Sequence, residues 1–550
     1  MWTPFLLLLP LLSTGDVELS DPDAVQNSSS CARCHSNSPR ASGMLDAAGR
    51  EIGPYNLWRG SMMANAARDP LWRAVVSAEI AATPSRKTEI EATCLSCHAP
   101  MAHRTGLDDH GTGSLMHALE CVGERSELAR DGVSCTICHG MSPVGLGTEA
   151  SFSAGYALDT ERRLFGPHQS PFTMPMRHMT GFTPTYGGHV TESALCGSCH
   201  TLETEALDPE GRPVGAQLLE QAPYLEWRNS SFSTEGPRPG ALAASCQACH
   251  MPTRDEDGRA IRTRIVRNPM GRDFPPTRPR EPFGRHVLVG GNTLVLAMLR
   301  DHGDELLAEA PPAAFQAALD ATRDQLQGRT AQVAIEDVER AGGVLSFGVD
   351  VENLTGHKFP TAHPTRRAWL RVLVRDARGG VLFASGATDA RGRILGTDAQ
   401  PLASELVGGP IEPHREVVRS GSEVALFQAV MADALGAPTH TLLRGARWLV
   451  DTRLLPRGWS ADHAQAERTR PIGTEQDTDF AGGGDRVRFE LELQAEGPLT
   501  IEASLLYQPL GARWAAELLR WETPEVETFR RLYNAAGLAP EVVAEAAWEG

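Results

Sequence analysis

The sequence predicts an α+β multidomain chain: a mostly α and irregular N-terminal domain over residues 25–310, an antiparallel β-sandwich-like domain over 328–510, and a C-terminal helical segment over 511–550. Three observations lead there. All eleven cysteines lie before residue 251, in a stretch with many Gly, Pro and polar connections. After about residue 329 apolar and polar residues alternate at the period of a strand. Residues 511–533 then space Trp514, Leu518, Trp521 and Phe529 as a helix would. At 550 residues the chain is long for one compact core, and 41% apolar against 22% charged residues is the makeup of a globular protein.

The chain opens with an apolar run from Trp2 to Leu12, too short to span a bilayer as a mature helix. It reads as a signal peptide over residues 1–20, with Ser13-Thr14-Gly15 as the small residues of a cleavage site, and it predicts a periplasmic or extracellular protein. No later stretch is apolar enough for a transmembrane segment. A formal charge of −17 argues against nucleic acid as a partner, because phosphate binding needs a basic footprint. A cationic protein or a small neutral substrate fits better.

Ten cysteines form five pairs, each closed by a histidine: Cys31-Ala-Arg-Cys34-His35, Cys94-Leu-Ser-Cys97-His98, Cys135-Thr-Ile-Cys138-His139, Cys196-Gly-Ser-Cys199-His200 and Cys246-Gln-Ala-Cys249-His250. Thiols three positions apart face one side of a helical turn and can add to the two vinyl groups of one haem, while the next residue offers its imidazole to the iron. Zinc ribbons, disulfides and thioredoxin-like pairs use Cys-x-x-Cys but do not require a histidine after every pair. The motifs therefore predict five covalently bound haem c groups, with His35, His98, His139, His200 and His250 as proximal ligands. Five such groups between residues 31 and 250 leave about forty-four residues each, too few for separate hydrophobic cores. The haems themselves become much of the core, and such close packing conducts electrons. Cys121 stands outside the pattern and reads as a small buried hydrophobe.

Thirteen histidines lie outside the motifs, more than five sixth positions need. Candidate distal ligands are His178 and His189, in the Gly/Pro/Met-rich loop 175–189; His286, in a glycine-rich segment that lets backbone approach a flat macrocycle; and His357, in Thr355-Gly-His-Lys-Phe-Pro-Thr361. Met63, beside Met62, is the thioether candidate, and His103 follows His98 by five residues. For each, a surface or core role is the alternative. His302, His363, His414, His440 and His463 default to structural or surface roles.

Short helices are expected at Pro70–Ala82, Glu220–Ser230 and Thr293–Leu307. In the second half, Leu345, Phe347, Val349 and Val351 alternate with polar residues; Leu370, Val372 and Val374 repeat the pattern up to a turn at Asp376-Ala-Arg-Gly-Gly380. Val487, Phe489, Leu491 and Leu493, a turn at Glu496-Gly-Pro498, and then Ile501, Ala503, Leu505 and Tyr507 give a second hairpin. Such hairpins argue for a sandwich. The C-terminal helices are expected to pack on it or to dock back onto the first domain. This half has no nucleotide loop, zinc signature or hydrolase elbow.

Several phrases resemble a widespread bacterial family of multihaem c-type cytochromes, related to the tetrahaem cytochromes of ammonia oxidation and more distantly to hydroxylamine oxidoreductase. They are Trp58-Arg-Gly-Ser-Met-Met-Ala64 with Ala67-Arg-Asp-Pro70, Gly132-Val-Ser-Cys135, Leu195-Cys-Gly-Ser-Cys-His-Thr201, Tyr224-Leu-Glu-Trp-Arg-Asn-Ser230, Ser245-Cys-Gln-Ala-Cys-His-Met-Pro252, and Gly356-His-Lys-Phe-Pro-Thr361 with Arg366-Arg367. The resemblance implies a pentahaem cytochrome c domain with an appended β-rich domain, and distal ligands at His189, His286 and His357. Relatives often carry an aromatic residue where this chain has His363, so the resemblance leaves the choice between His357 and His363 open. It implies electron transfer between redox partner proteins, a membrane oxidoreductase among them. Two alternatives stand beside it. One is an oxidoreductase acting on a small nitrogen or sulfur compound at one open haem, with Tyr156, Tyr186 or Arg177 beside it; the other is a structural subunit of an extracellular electron conduit. No motif replaces its proximal histidine by lysine.

Overall fold

The computed structural model describes residues 24–106, 119, 123–236, 239–493 and 497–550. The signal peptide expected over 1–20 and Cys121 lie outside the described residues. Among those described, no helix is long and apolar enough to cross a membrane.

The N-terminal region is a set of short helices joined by turns. Each Cys-x-x-Cys-His motif touches one: Ser28–His35 and Lys87–His98 end on their histidines, Cys135–Gly140 and Cys246–His250 contain theirs, and Ser193–Gly197 carries Cys196 into the turn that holds Cys199 and His200. Helix Pro70–Ala82 has the expected bounds. Asp69 caps it by accepting from the backbone N–H groups of Leu71 and Trp72, and Pro70 gives up nothing at a position with no helical partner.

Elsewhere the elements differ from expectation. The segment 174–189 is a helix, Met174–Thr180, followed by strand β2 (Thr183–Tyr186), which runs parallel to β1 (Arg163–Gly166). Glu220 belongs not to a helix but to β4 (Pro213–Gln221), hairpin partner of β3 (Leu202–Leu207). The helix begins only at Pro223, whose missing N–H ends a strand and suits a first helical turn, and it closes at Arg228. The helix from Thr293 stops at Asp301, and helix Pro312–Arg329 leads into the sandwich.

The smaller sheet holds β5 (Ala331–Ala341), β6 (Val344–Asn353), β9 (Val417–Val418) and β13 (Gly484–Glu492), in the order β5-β6-β13-β9. The larger holds β7 (Arg367–Asp376), β8 (Val381–Ser385), β10 (Leu426–Ala432), β11 (Pro438–Thr439), β12 (Arg447–Asp451), β14 (Leu499–Gln508) and β15 (Glu541–Glu549). Its central order is β11-β10-β7-β14-β15, with β8 on β7 and β12 on β10. Pairing is antiparallel except between β9 and β13. Leu345, Phe347, Val349 and Val351 of β6 are buried, as their alternation requires, and share one core with Leu370, Val372 and Val374 of β7 and Ile501, Ala503 and Leu505 of β14. Phe347 and Phe489 pair in register with rings stacked at 5.0 Å. The Asp376 turn forms as expected: its carboxylate accepts from the backbone N–H groups of Arg378 and Gly380, and Gly379 takes the left-handed φ of +80°.

The C-terminal segment is not wholly helical. Helices Ala512–Leu518 and Pro524–Ala535 are followed by β15, which pairs antiparallel with β14 from Thr500 to Tyr507. Tertiary pairing overrides the helical preference of its Ala and Glu residues, because β14 would otherwise present an open edge. The two helices dock back: Trp514, Leu518, Val526, Phe529 and Leu532 share a core with Ala74, Val75 and Ala78 and with Val295 and Leu299.

Candidate functional site

The five motif turns converge on one cavity of about 1770 Å³, whose walls include all ten motif cysteines and all five motif histidines. That exceeds the roughly 300–1,000 Å³ that holds one small ligand. The sandwich supplies part of the wall, through residues 354–357, 359–363, 365, 366 and Tyr507.

Backbone carbonyls orient the motif imidazoles. The Nδ1–H groups of His35, His98, His139 and His250 donate to the carbonyls of Ile265 (3.1 Å), Ala66 (3.4 Å), Phe165 (2.6 Å) and Val289 (2.7 Å). This leaves the other ring nitrogen of each for a metal. Burial lowers His35, His98 and His200 to about 4, so they are the neutral imidazoles that ligation requires. The indole of Trp72 stacks on His98 at 4.7 Å and 4°.

Two further imidazoles face motif histidines. His286 stands 6.3 Å from His139 between ring centroids, at 28°, and His357 stands 6.4 Å from His250, at 21°. A metal held at about 2 Å by one nitrogen of each ring would separate the centroids by roughly 6 Å, so both pairs have the spacing for an iron between them. Both rings are set by the same device, with Nδ1–H donating to the Gly284 carbonyl (3.1 Å) and the Lys358 carbonyl (2.8 Å). His363 also lines the cavity. Its Nδ1 accepts from the Thr365 backbone N–H (3.3 Å), it packs edge-on against Trp514, and burial, Arg366 and the nearby His98 lower it to about 3. His357 thus stands nearest the histidine of the fifth motif, and His363 stands near that of the second.

His178 and Met63 lie on the cavity wall, together with His168, which no sequence pattern singled out. His189 and His103 are not among the lining residues. The His189 ring directs Nε2 at the Met141 carbonyl (3.0 Å) and packs edge-on against Phe165 at 4.8 Å, which leaves Nδ1 as its other ring nitrogen, with the ring close enough to His139 to lower it. His103 sits on helix Pro100–Thr105, behind the second motif.

Behind His357 is a buried ionic cluster. Lys358 Nζ and Arg453 Nη2 each lie 2.7 Å from Asp451 Oδ2, and Arg453 Nη1 lies 3.2 Å from Glu226 Oε1. Glu226 Oε2 accepts from the Lys358 backbone N–H (3.1 Å) and the Thr361 hydroxyl (2.5 Å). Burial alone would raise Asp451, but Arg453 and Lys358 hold it at about 2. Glu226 belongs to helix Pro223–Arg228, so the cluster ties that helix to the loop that presents His357. Near the second motif the chemistry is reversed: burial raises Glu79 and Glu220 to about 7, and together with burial they push the Cys94 thiol up.

The motifs touch one another. Cys31 stands beside Cys135, Cys97 beside Cys199 and Cys196 beside Cys246, while Cys138 lies close enough to Cys196 and Cys199 to raise both. The imidazoles repeat the pattern: His35 is depressed by His139, His98 by His200, and His200 by His250, each after burial. The fourth motif therefore neighbours the second, third and fifth, and the first is reached through the third.

Residues 30–140, which hold the first three motifs, match the model of the family described as cytochrome c554 and c-prime. The whole chain is similar in fold to a penta-haem cytochrome c552 from Thermochromatium tepidum, with a TM-score of 0.50 and 17% identity over 96% of this chain and 100% of that one. No curated protein matches the sequence. Together the two likenesses support a multihaem c-type cytochrome.

Proposed function

We propose that this chain is an exported pentahaem c-type cytochrome that carries electrons between redox partner proteins, a membrane oxidoreductase among them. The observation that carries the reading is the convergence of five Cys-x-x-Cys-His turns on one cavity, with imidazoles facing two of them at 6.3 and 6.4 Å. Bound haem supplies reversible one-electron chemistry. The chain's own residues do the rest. Each cysteine pair would hold one haem covalently, and each motif histidine would ligate its iron. His286 would supply a second ligand at the third motif, His357 at the fifth and His363 at the second. His168, His178 and Met63 are the lining candidates for the first and fourth. Arg366, close enough to His200, His357 and His363 to lower all three, suits the propionate carboxylates of the bound groups.

The contacts between motifs give a branched route, from the first through the third to the fourth and from there to the second or the fifth. Attachment of haem c outside the cytoplasm agrees with a signal peptide over residues 1–20. By the same reading, the tetrahaem carriers of ammonia oxidation are this chain's kin. The test is the mass of the secreted protein, expected to exceed the polypeptide by five haems, with electron paramagnetic resonance of the oxidised form. Low-spin signals alone are expected. A high-spin ferric signal that shifts with nitrite, hydroxylamine or sulfite would overturn the carrier reading in favour of catalysis at an open iron.

A further inference from the structure

His414, Asp477 and Asp485 bring one donor atom each to within 4.8 Å of one another. None of the three lines the haem cavity. They come from three places in the sequence: the segment before β9, the turn 474–479, and the second residue of β13.

The group is built and shielded from water. The His414 and Asp477 side chains are 7% and 2% exposed, and Nε2 of the imidazole lies 2.7 Å from Asp477 Oδ2. Asp477 Oδ1 accepts from the backbone N–H groups of Asp479 and Phe480, both at 3.1 Å, which turns Oδ2 toward the histidine. The ring is held edge-on against Phe480 at 5.3 Å. Asp485 is the anomaly: it is 5% exposed, and neither carboxylate oxygen has a hydrogen-bond partner. Asp479 stands beside it, within reach of Asp477. A buried carboxylate with no donor, set against a second carboxylate, is unfavourable as an anion unless a proton or a cation joins them.

We infer that His414, Asp477 and Asp485 bind one divalent transition-metal ion of the zinc class, a structural cation separate from the haem irons. One imidazole nitrogen and two carboxylate oxygens form a zinc donor set, and the nitrogen disfavours calcium, whose six to eight ligands are oxygens. The consequence is mechanical. Strand β9 has only two residues and joins β13 by a parallel pairing, so by itself it fastens the long 386–416 connection weakly. An ion shared by His414 and Asp485 would staple that connection to the start of β13.

The haem-loaded full-length protein, stripped with EDTA, is titrated calorimetrically with Zn²⁺ and separately with Ca²⁺. One Zn²⁺ per chain is expected, with a Tm raised by several degrees, while the haem absorption spectrum stays unchanged. Asp485→Asn, which keeps the shape of the side chain, should weaken Zn²⁺ binding at least tenfold and abolish the Tm rise. His414→Gln should do the same and decides the matter if the first variant fails to fold. Absence of saturable Zn²⁺ uptake, uptake unchanged in both variants, or saturable Ca²⁺ binding without Zn²⁺ binding would each overturn the inference.

Discussion

Glu79 and Glu220 bury two carboxyl groups beside the second motif, and burial raises both to about 7. Below that pH they are neutral; above it they add negative charge near the iron, which favours the ferric state. The midpoint potential of the haem at the second motif is therefore expected to fall as pH rises through about 7, and Glu220→Gln should flatten the dependence in a spectroelectrochemical titration. Asp451 presents the opposite case, a carboxylate held ionised by two buried cations. Asp451→Ala would leave Lys358 and Arg453 unpaired and should cost about 3–5 kcal/mol in denaturant unfolding. It should also disturb the absorption of the haem at the fifth motif, since the cluster positions His357. Of this site, the Gly-His-Lys-Phe-Pro-Thr phrase was legible in the sequence as a unit, but the reason for its lysine was not: Asp451 lies 93 positions away. The place of His189 was equally hidden, because nothing local reveals that the Met141 carbonyl takes its Nε2.

Among the elements, those whose pattern is enforced by burial on one face were the readable ones. The alternations at 345–351, 370–374, 487–491 and 501–507 all became strands of the sandwich core. Phe347→Ala, which removes a ring stacked between sheet neighbours, should cost about 3–5 kcal/mol by thermal or chemical unfolding. Strand β15 escaped because it is an edge: of its nine residues only Val543 is fully buried, and its Ala and Glu residues favour a helix where no partner intervenes. Its contribution is to cover β14. Deleting residues 541–550 is expected to leave that long apolar strand unpaired, and size-exclusion chromatography should then show aggregates rather than a well-behaved shorter chain.

For the molecule as a whole, the order of the motifs along the chain is not their order in space. The second motif lies beside the fourth and the first beside the third, contacts set by helix packing that spacing alone cannot encode. The fourth motif is the crossing point. Replacing Cys196 and Cys199 with serine should yield a protein heavier by four haems instead of five. Photoreduction of the first-motif end should then fail to deliver electrons rapidly to the fifth, as read by transient absorption.

The loop that carries His357 also bears on how the protein is made. Its anchor, Asp451, lies some two hundred residues beyond Cys246 and Cys249, and the sheet behind it is completed only by the last residues of the chain. If His357 is the second axial ligand proposed above, the fifth haem would be attached before that ligand is held in place. With His357 as the proposed ligand and Asp451 as the residue that holds its loop, the fifth site would be the last to be completed as the chain folds.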